Sequence, residues 1–380
     1  MFLNYPNKQP EEDILKNDIK FKFNKQIEKD NILFFGDNFD ILKKLLYEEN
    51  YKGKIDLVYI DPPFATNNKF KIGKNRVSTI SFSEDDEIAY NDNLTGYQFL
   101  EFLRKRLILI RELLTERGSI YLHIDYKIGH YVKIIMDEVF GIENFRNDIT
   151  RIKCNPKNFN RKAYGNIKDM ILFYSKSKNH IFNDPREEYS KEDIEKLFPK
   201  IDKKGKRYTT IPLHAPGESK GETGKEWRGI KPPEGRHWRS APCVLEELDK
   251  QGLIEWSKNG NPRKIIYLED KKGKKKQDIW NYKDPQYPIY PTQKNLDMLK
   301  EIILASSNED SIIMDCFCGS GGTLKVASDL GRKWIGIDKS HKAIEVTKKI
   351  LNENNLFKIE YDYIELQFQN ENYDKKFKES

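Results

Sequence analysis

The four apolar residues 57–60 and the four that follow them, Asp61, Pro62, Pro63 and Phe64, constrain the fold of this chain most strongly. An apolar run of this length, with two β-branched members, predicts a buried strand of a parallel sheet. Each proline lacks a backbone N–H and restricts the residue before it, so the strand ends in a rigid loop. Open α/β sheets bind ligands at this carboxyl edge. An acid, a loop carbonyl and an aromatic ring suit a planar base with an amino group, because the oxygens accept from the amine and the ring stacks. Asp-Pro-Pro also occurs in ordinary turns, which leaves a structural role open.

The residues before this strand complete a strand–helix–strand unit. Residues 32–35 predict a short strand that closes on Gly36 and Asp37. The following residues have helical spacing, and Gly53 turns the chain back into the strand before Asp61. Such a crossover is the building unit of a parallel sheet.

A polar stretch follows the proline loop. Residues 65–95 are rich in Asn, Ser, Lys and Asp, and we expect a long loop that could act as a clamp over substrate. Residues 97–117 predict an amphipathic helix that ends at Gly118 in a C-cap position. The strand after it carries His123, which is either catalytic or a structural histidine.

Composition limits the class of protein. At 380 residues the chain can hold one large domain and a smaller inserted or appended one. The net charge of +7 favours a polyanionic partner without proving one. No apolar window is long enough for a membrane span, no signal peptide is evident, and none of the four cysteines forms a CxxC pair. We expect a cytoplasmic protein with neither a metal site nor a disulfide framework, and a solvated arm at residues 1–30.

The amino-acid composition of the sequence changes over residues 179–285. Glycine, proline and lysine accumulate, and four of the five tryptophans lie here, interleaved with basic residues. Flat rings with arginines suit a nucleic-acid surface. A small domain with an aromatic core and a charged solvated face would look the same. The candidates for DNA contact are Arg228, Arg236, Arg239 and Arg263.

A glycine-rich turn near the end of the chain predicts a nucleoside site. A strand ends at Asp315, Gly319 and Gly321 form the turn, a helix follows, and the next strand ends at Asp338. Asp315 would repel a pyrophosphate but suits an ammonium group, and Asp338 can hold both ribose hydroxyls. A nucleoside that carries an amino acid in place of phosphates is S-adenosyl-L-methionine.

Three motifs together resemble the amino-methylating DNA methyltransferases. Residues 61–64 are similar to the catalytic tetrad of that family, residues 315–323 to its cofactor motif, and residues 290–294 to the Tyr-Pro-Thr-Gln-Lys segment before it. Cys316 and Gly322 depart from the usual proline and threonine, and Phe64 from the commoner tyrosine. The tetrad precedes the cofactor motif, which is the circular order of the β group.

The resemblance implies a Rossmann-like, circularly permuted α/β sheet of the S-adenosylmethionine-dependent methyltransferases, with an inserted target-recognition domain. The implied domains are an arm (1–30), a catalytic half (31–178), the target-recognition domain (179–285) and a cofactor-binding half (286–380). Catalysis is then assigned to Asp61, Pro62, Pro63 and Phe64. Cofactor binding is assigned to Asp37, Thr292, Lys294, Asp315, Phe317, Gly319, Ser320, Gly321, Thr323 and Asp338.

The implied reaction moves a methyl group from S-adenosyl-L-methionine to the N6 amine of an adenine flipped out of double-stranded DNA. The aspartate at position 61 favours adenine over cytosine, although the β group includes both. A restriction endonuclease and a second copy of the chain are the further partners expected. The alternatives are an N4-cytosine enzyme, an RNA adenine methyltransferase and a non-catalytic DNA-binding subunit. A cytosine-ring methyltransferase would need a catalytic thiolate, and Cys243, in the only Pro-Cys pair, lies in the variable region.

Overall fold

A ten-stranded sheet carries the motifs in the described part of the chain. The computed structural model describes residues 2–62, 69–73, 76–78, 87–91, 96–156, 162–258, 260–286, 293–352 and 359–368. Its helices are α1 Glu11–Ile14, α2 Asn38–Tyr47, α3 Gly96–Leu113, α4 Tyr126–Phe140, α5 Lys191–Leu197, α6 Pro242–Lys250, α7 Leu296–Ser306, α8 Gly322–Asp329 and α9 His341–Asn352. Its strands are β1 Phe21–Phe23, β2 Ile32–Phe35, β3 Ile55–Ile60, β4 Lys69–Gly73, β5 Arg76–Ser78, β6 Glu87–Asn91, β7 Leu114–Ile124, β8 Phe145–Ile152, β9 Lys168–Ser175, β10 Arg186–Glu187, β11 Lys200–Ile201, β12 Arg207–Pro212, β13 His214–Pro216, β14 Arg236–Trp238, β15 Ile254–Trp256, β16 Pro262–Tyr267, β17 Lys274–Lys275, β18 Ile279–Trp280, β19 Ile312–Asp315, β20 Lys333–Asp338 and β21 Asp362–Phe368.

The order of the strands is β1-β21-β2-β20-β19-β3-β7-β9-β8-β18. From β21 to β7 the neighbours are parallel, and β9 runs antiparallel between β7 and β8. Helices α2, α3 and α4 bury apolar residues on one face, and α7, α8 and α9 do so on the other. This three-layer α/β sheet is the predicted fold class. The strand before the tetrad, β3, lies directly beside β19, the strand that leads into the glycine-rich turn.

Most of residues 2–30 are exposed, as expected of a solvated arm, but the segment is also attached to the main sheet and its core. Strand β1 pairs antiparallel with β21 at the edge of the main sheet. Ile14 is 1% exposed and belongs to the main core, and the Tyr5 hydroxyl donates to Glu101 at 2.7 Å. A few apolar residues attach this charged segment to the core. The weak hydrophobic periodicity of the segment did not predict them.

The helix before β7 is shorter than predicted. It ends at Leu113, and Leu114 already pairs with Ile55 of β3. Gly118 therefore lies within a strand and not in a helix cap. A Cβ at this strand position would lie 3.0 Å from the Ile55 carbonyl oxygen. Pairing with a distant strand overrides the helical periodicity of this segment. The polar stretch after the tetrad was predicted as a loop, and its described residues form an antiparallel sheet of β5, β4 and β6.

The chain divides into two compact units. The larger unit comprises residues 1–185 and 277–380, and the smaller comprises residues 186–276. The smaller unit lies within the range 179–285 that the sequence suggested, and the segments on either side belong to the larger unit. It contains a four-stranded sheet in the order β11-β12-β16-β15 and the β13–β14 pair.

Candidate active site

Four adjacent parallel strands each end at an acidic residue. In spatial order, Asp37 lies two residues beyond β2, Asp338 ends β20, Asp315 ends β19, and Asp61 follows β3. Because these strands are parallel, their carboxyl ends lie along one edge of the sheet. Two segments that are some 250 residues apart in sequence thus reach the same edge.

One cavity at this edge joins the tetrad strand to the glycine-rich turn. Its walls combine the end of β3, the segment before α7 and the turn between β19 and α8. The lining residues are Tyr59, Asp61, Gln293, Lys294, Leu299, Asp315, Phe317, Cys318, Gly319, Ser320, Gly322 and Thr323. The predicted catalytic acid and most of the predicted cofactor residues therefore share one space.

Asp61 uses its two carboxylate oxygens differently. Oδ2 forms an ion pair with Nζ of Lys294 at 2.8 Å. Oδ1 is buried and accepts no hydrogen bond within the described structure. A buried acceptor without a donor costs free energy, which marks this oxygen as a site that a ligand N–H can satisfy. Lys294, assigned from the sequence to the cofactor carboxylate, contacts the predicted catalytic acid.

Asp315 is a buried acid held by two donors. Its Oδ1 accepts from the Phe317 backbone N–H at 3.0 Å, and Oδ2 accepts from the Thr323 hydroxyl at 2.6 Å. Burial raises the pKa of Asp315 to about 7, although both hydrogen bonds act in the opposite direction. The side chain can therefore exist in either protonation state near neutral pH.

The glycine-rich turn is fixed by Asp338 and by helix α9. The carboxylate of Asp338 accepts from the backbone N–H groups of Gly319 and Ser340, both at 2.9 Å. Gly321 has a left-handed φ of 79° and precedes the first residue of α8. Thr347 of α9 donates to the Gly319 carbonyl at 3.0 Å. The turn is thus held in one shape by contacts from two neighbouring elements.

Asp37 caps α2 and is bound by a buried arginine. Its Oδ1 accepts from the Phe39 N–H at 2.8 Å and from Arg106 at 2.9 Å. Arg106 also donates to the side chain of Asn38, whose amide in turn donates to the Cys316 carbonyl at 2.6 Å. These contacts connect the end of β2 with the turn after β19.

A model of the DNA methylase family matches residues 55–349, which include both motifs and the cavity between them. The chain belongs to this family. It is a DNA methylase of the amino-methylating kind that its motifs resemble.

Curated relatives of this DNA methylase include type II methyltransferases and Mod subunits of type III restriction-modification enzymes. The type II methyltransferase M.EcaI of Enterobacter cloacae is 42% identical over 361 residues, which cover 91% of this chain and 76% of that protein. The Mod subunit of the type III restriction-modification enzyme StyLTI of Salmonella typhimurium is 27% identical, over 77% of this chain and 49% of its own length. The chain thus spans three quarters of one relative and half of the other.

Solved structures resemble the DNA methylase distantly. The M1.HpyAVI–SAM complex has a TM-score of 0.42 at 18% identity and covers 84% of this chain and 98% of its own. The PvuII DNA methyltransferase, which is cytosine-N4-specific, has a TM-score of 0.46 at 15% identity, with 89% and 93% covered. S-adenosylmethionine is the methyl donor of the family, as the sequence predicted.

Several predicted site residues lie outside the described part of the DNA methylase. They are Pro63, Phe64 and Thr292. Pro62 is described and buried.

A search of the described residues for membrane spans finds no helix of sufficient length and apolar character.

The four candidate DNA-contacting arginines of the smaller unit divide into two kinds. Arg228 is bound by the carboxylates of Glu246 and Asp249, at 2.7 and 2.5 Å. The other three gather around His214, whose pKa is lowered by burial and then by the charges of Arg236, Arg239 and Arg263. Trp227 and Trp238 are buried, in edge-to-face contact, in the core of this unit. The aromatic-core interpretation therefore holds for these two rings.

Three buried side chains next to the site were not predicted. Arg106 occupies a position on the apolar face of α3, and a charged residue on such a face was an available signal. Tyr59 and Asp169 could not be found from sequence, because their roles depend on which strands are neighbours. The sequence left His123 as either a catalytic or a structural histidine. In the structure it is fully buried and contacts both Tyr59 and Asp169.

Proposed function

We propose that this DNA methylase transfers a methyl group from S-adenosyl-L-methionine to the N6 amine of an adenine flipped out of double-stranded DNA, as the modification enzyme of a restriction-modification system. The observation that carries the proposal is the buried Oδ1 of Asp61, which has no hydrogen-bond partner among the described residues and lines one cavity with the glycine-rich turn. A hydrogen-bond acceptor beside a nucleoside site is what methylation of an exocyclic amine requires.

The residues assigned to cofactor binding in the two halves fit this molecule. Asp315 offers a carboxylate for the ammonium group, Asp338 for the ribose hydroxyls, and Asp37 for the adenine amine. The fixed turn at Gly319 and Gly321 lets the backbone approach closely. When bound, the cofactor supplies an electrophilic methyl group on a sulfonium. The chain itself binds and orients the cofactor and excludes water from the site.

On the substrate side, the carboxylate of Asp61 orients the amine of the target base and stabilises the charge that develops on it. Its Oδ1 and the Pro62 carbonyl accept from the two amine hydrogens of the target base, which directs the nitrogen lone pair towards the methyl group. The positive charge that develops on nitrogen is stabilised by the same fixed acceptors, and it is removed when the methylated amine releases one of its two hydrogens as a proton to solvent. The Lys294 ammonium occupies Oδ2 and leaves Oδ1 for the base. Phe64 stacks on the extruded ring and offsets part of the few kcal/mol that flipping costs.

Adenine is proposed over cytosine because residue 61 is an aspartate and not the serine found in other tetrads of the family. N4-cytosine methylation is the second candidate, since the family includes both reactions. The amine chemistry is the same for either base. Modified-base mapping by long-read sequencing, on DNA from a host that expresses the gene, distinguishes N6-methyladenine from N4-methylcytosine and gives the recognition sequence. RNA from the same host tests the RNA alternative.

The smaller unit, residues 186–276, is proposed as the target-recognition domain. The cluster of Arg236, Arg239 and Arg263 around His214 supports contact with phosphates. A cognate restriction endonuclease, a homodimer and a cytoplasmic location complete the proposal. Sedimentation with and without a cognate DNA duplex tests the dimer.

The decisive experiment replaces Asp61 with alanine. We expect methyl transfer to fall by at least about a hundredfold, because one fixed acceptor in a buried site contributes that much to the rate. DNA binding should persist. Asp125→Ala is the matched control: Asp125 also follows a strand of the sheet, but its side chain caps α4 by accepting from Lys127. Its loss should lower stability by about 1 kcal/mol and leave transfer largely intact. A rate for Asp61→Ala within tenfold of wild type would refute the assignment. A loss of DNA binding that by itself accounts for the slower transfer would refute it as well.

A further inference from the structure

A buried polar chain lies behind the candidate catalytic acid. The Tyr59 hydroxyl is 3.0 Å from Nδ1 of His123, and Nε2 of His123 is 3.2 Å from Oδ2 of Asp169. Tyr59, His123 and Asp169 are all at most 2% exposed. They stand on the adjacent strands β3, β7 and β9, which fixes their separations. Polar groups this deep in a sheet are costly unless their hydrogen bonds are complete.

The carboxylate of Asp169 determines which way these hydrogen bonds run. Lys153 is 2.6 Å from Oδ1 of Asp169, and Arg151 is 3.7 Å from Oδ2. Although burial acts against it, the hydrogen bond from His123 and the charge of Lys153 lower the pKa of Asp169. An ionised carboxylate only accepts, so the imidazole must carry its proton on Nε2. Burial, followed by the charge of Lys294, lowers the pKa of His123, so the ring is neutral and its Nδ1 is an acceptor.

The hydroxyl hydrogen of Tyr59 is consequently committed to His123. Burial and then the charge of Asp61 raise the pKa of Tyr59 well above its usual value, so the phenol keeps its proton and donates it. This matters because Tyr59 and Asp61 line the same cavity and, two residues apart in an extended segment, belong to the same face of the sheet. A tyrosine hydroxyl without another acceptor would turn to a nearby buried carboxylate oxygen that has no donor.

We propose that His123, oriented by Asp169, is a positioning residue that holds the Tyr59 hydroxyl hydrogen away from Asp61 and so keeps Oδ1 of Asp61 open for the amine of the target base. This inference rests on the proposed role of Asp61. It does not depend on whether the amine belongs to adenine or cytosine. The groups that face His123 are Tyr59 of β3, Asp169 of β9, and the Asp61–Lys294 pair.

A rescue experiment tests the proposal. In His123→Leu the Tyr59 hydroxyl loses its acceptor and should turn to Asp61, so kcat should fall roughly tenfold or more, while the KM for DNA and the calorimetric affinity for S-adenosylmethionine change less than about twofold. In the double variant Tyr59→Phe/His123→Leu the competing donor is absent. Most of the lost kcat should return.

Asp169→Asn provides a second route if His123→Leu folds poorly. An amide that donates to Nε2 places the imidazole proton on Nδ1, which would then donate to the Tyr59 oxygen and turn its hydrogen outwards. The loss in kcat should again be reversed by adding Tyr59→Phe. Tyr121→Phe is the matched control, since Tyr121 is paired with Tyr59 across the two strands and its hydroxyl contacts Ser306 at 2.8 Å. It should lower the melting temperature and leave kcat unchanged.

A purely structural network gives a different pattern. Double variants would then be no faster than the single ones, or kcat would follow melting temperature across the whole set, and either result overturns the inference. Its failure is distinct from failure of the proposed function. If Asp61→Ala abolishes transfer while His123→Leu keeps wild-type kcat, the catalytic assignment stands and only the positioning role is lost.

Discussion

Asp315 has two properties that ordinarily oppose each other. It is fully buried, which favours the neutral acid, yet its proposed ligand is an ammonium group, which needs the carboxylate. Its pKa of about 7 reflects this conflict, with the Thr323 hydroxyl and the Phe317 N–H preserving some of the charged form. Binding of the cation must therefore displace a proton at any pH below about 7.

We predict that the affinity for S-adenosylmethionine falls as the pH is lowered from 7.5 to 5.5. Well below the pKa of Asp315, each pH unit should cost up to about tenfold, because one proton must leave before the ion pair can form. The amino group of the ligand, with a pKa near 8, stays protonated below pH 7 and does not cause the trend. Calorimetry in buffers of different ionisation enthalpy should detect the released proton.

Asp315→Asn is the comparison for this measurement. It should bind the cofactor weakly at every pH and without proton release. A variant that keeps the wild-type pH dependence would assign the titration to another group.

The turn that leads into α8 depends on contacts between elements. Gly321 combines a left-handed backbone with a close neighbour: an added Cβ would lie 2.8 Å from the Thr347 side chain of α9. Gly331, beyond the other end of the same helix, has a similar φ of 69° but no atom within 4 Å of such a Cβ. The two glycines separate backbone strain from steric collision.

We predict that Gly331→Ala costs about 1–2 kcal/mol of stability, the ordinary penalty for a left-handed alanine, and leaves cofactor affinity unchanged. Gly321→Ala should cost more and weaken cofactor binding at least about tenfold, since Thr347 must move and release the Gly319 carbonyl. Chemical unfolding and calorimetry measure the two effects. Equal losses in both variants would mean that α9 does not clamp the turn.

These elements also show how far the sequence could lead. Apolar runs followed by an acid located β2, β3, β19 and β20, and the acids after β3 and β19, Asp61 and Asp315, line the cavity. The start of β7 and the pairing of β1 with β21 were missed, because both depend on partners far away in sequence. Asp61 was predicted because it directly follows its own apolar strand, whereas the contact of Tyr59 with His123 exists only because β3 and β7 are neighbours in the sheet. The catalytic, cofactor-binding and DNA-contacting roles assigned to the site residues all stay predictions.

The molecule concentrates its proposed chemistry and its proposed reading of DNA in separate compact units. Within the smaller unit, Arg236 donates to His214 at 3.1 Å and Arg239 to the Pro212 carbonyl, and both are exposed. Arg228, although exposed, is already neutralised by two carboxylates. Exposure alone therefore does not identify a phosphate ligand.

We predict that Arg236→Ala/Arg239→Ala weakens DNA binding and lowers the slope of log affinity against log salt concentration by about two, one for each phosphate that is no longer neutralised. Cofactor affinity should not change. Arg228→Ala should alter the slope much less. Fluorescence anisotropy over a salt series measures all three, and a slope that is equally reduced in Arg228→Ala would reject the division of the arginines.

Both junctions of the smaller unit are anchored in the larger one. Before it, the Asn183 backbone donates to the Ala305 carbonyl at 2.8 Å, and after it, Trp280 is buried in the main core while Arg151 binds the Tyr282 carbonyl at 2.8 Å. With both flanking segments fixed in this way, we expect mutation or even replacement of residues 186–276 to leave the geometry of the sheet edge undisturbed. On the proposed division of roles, a lineage of these enzymes can acquire new DNA sites by exchanging the smaller unit while the methyl-transfer reaction is retained.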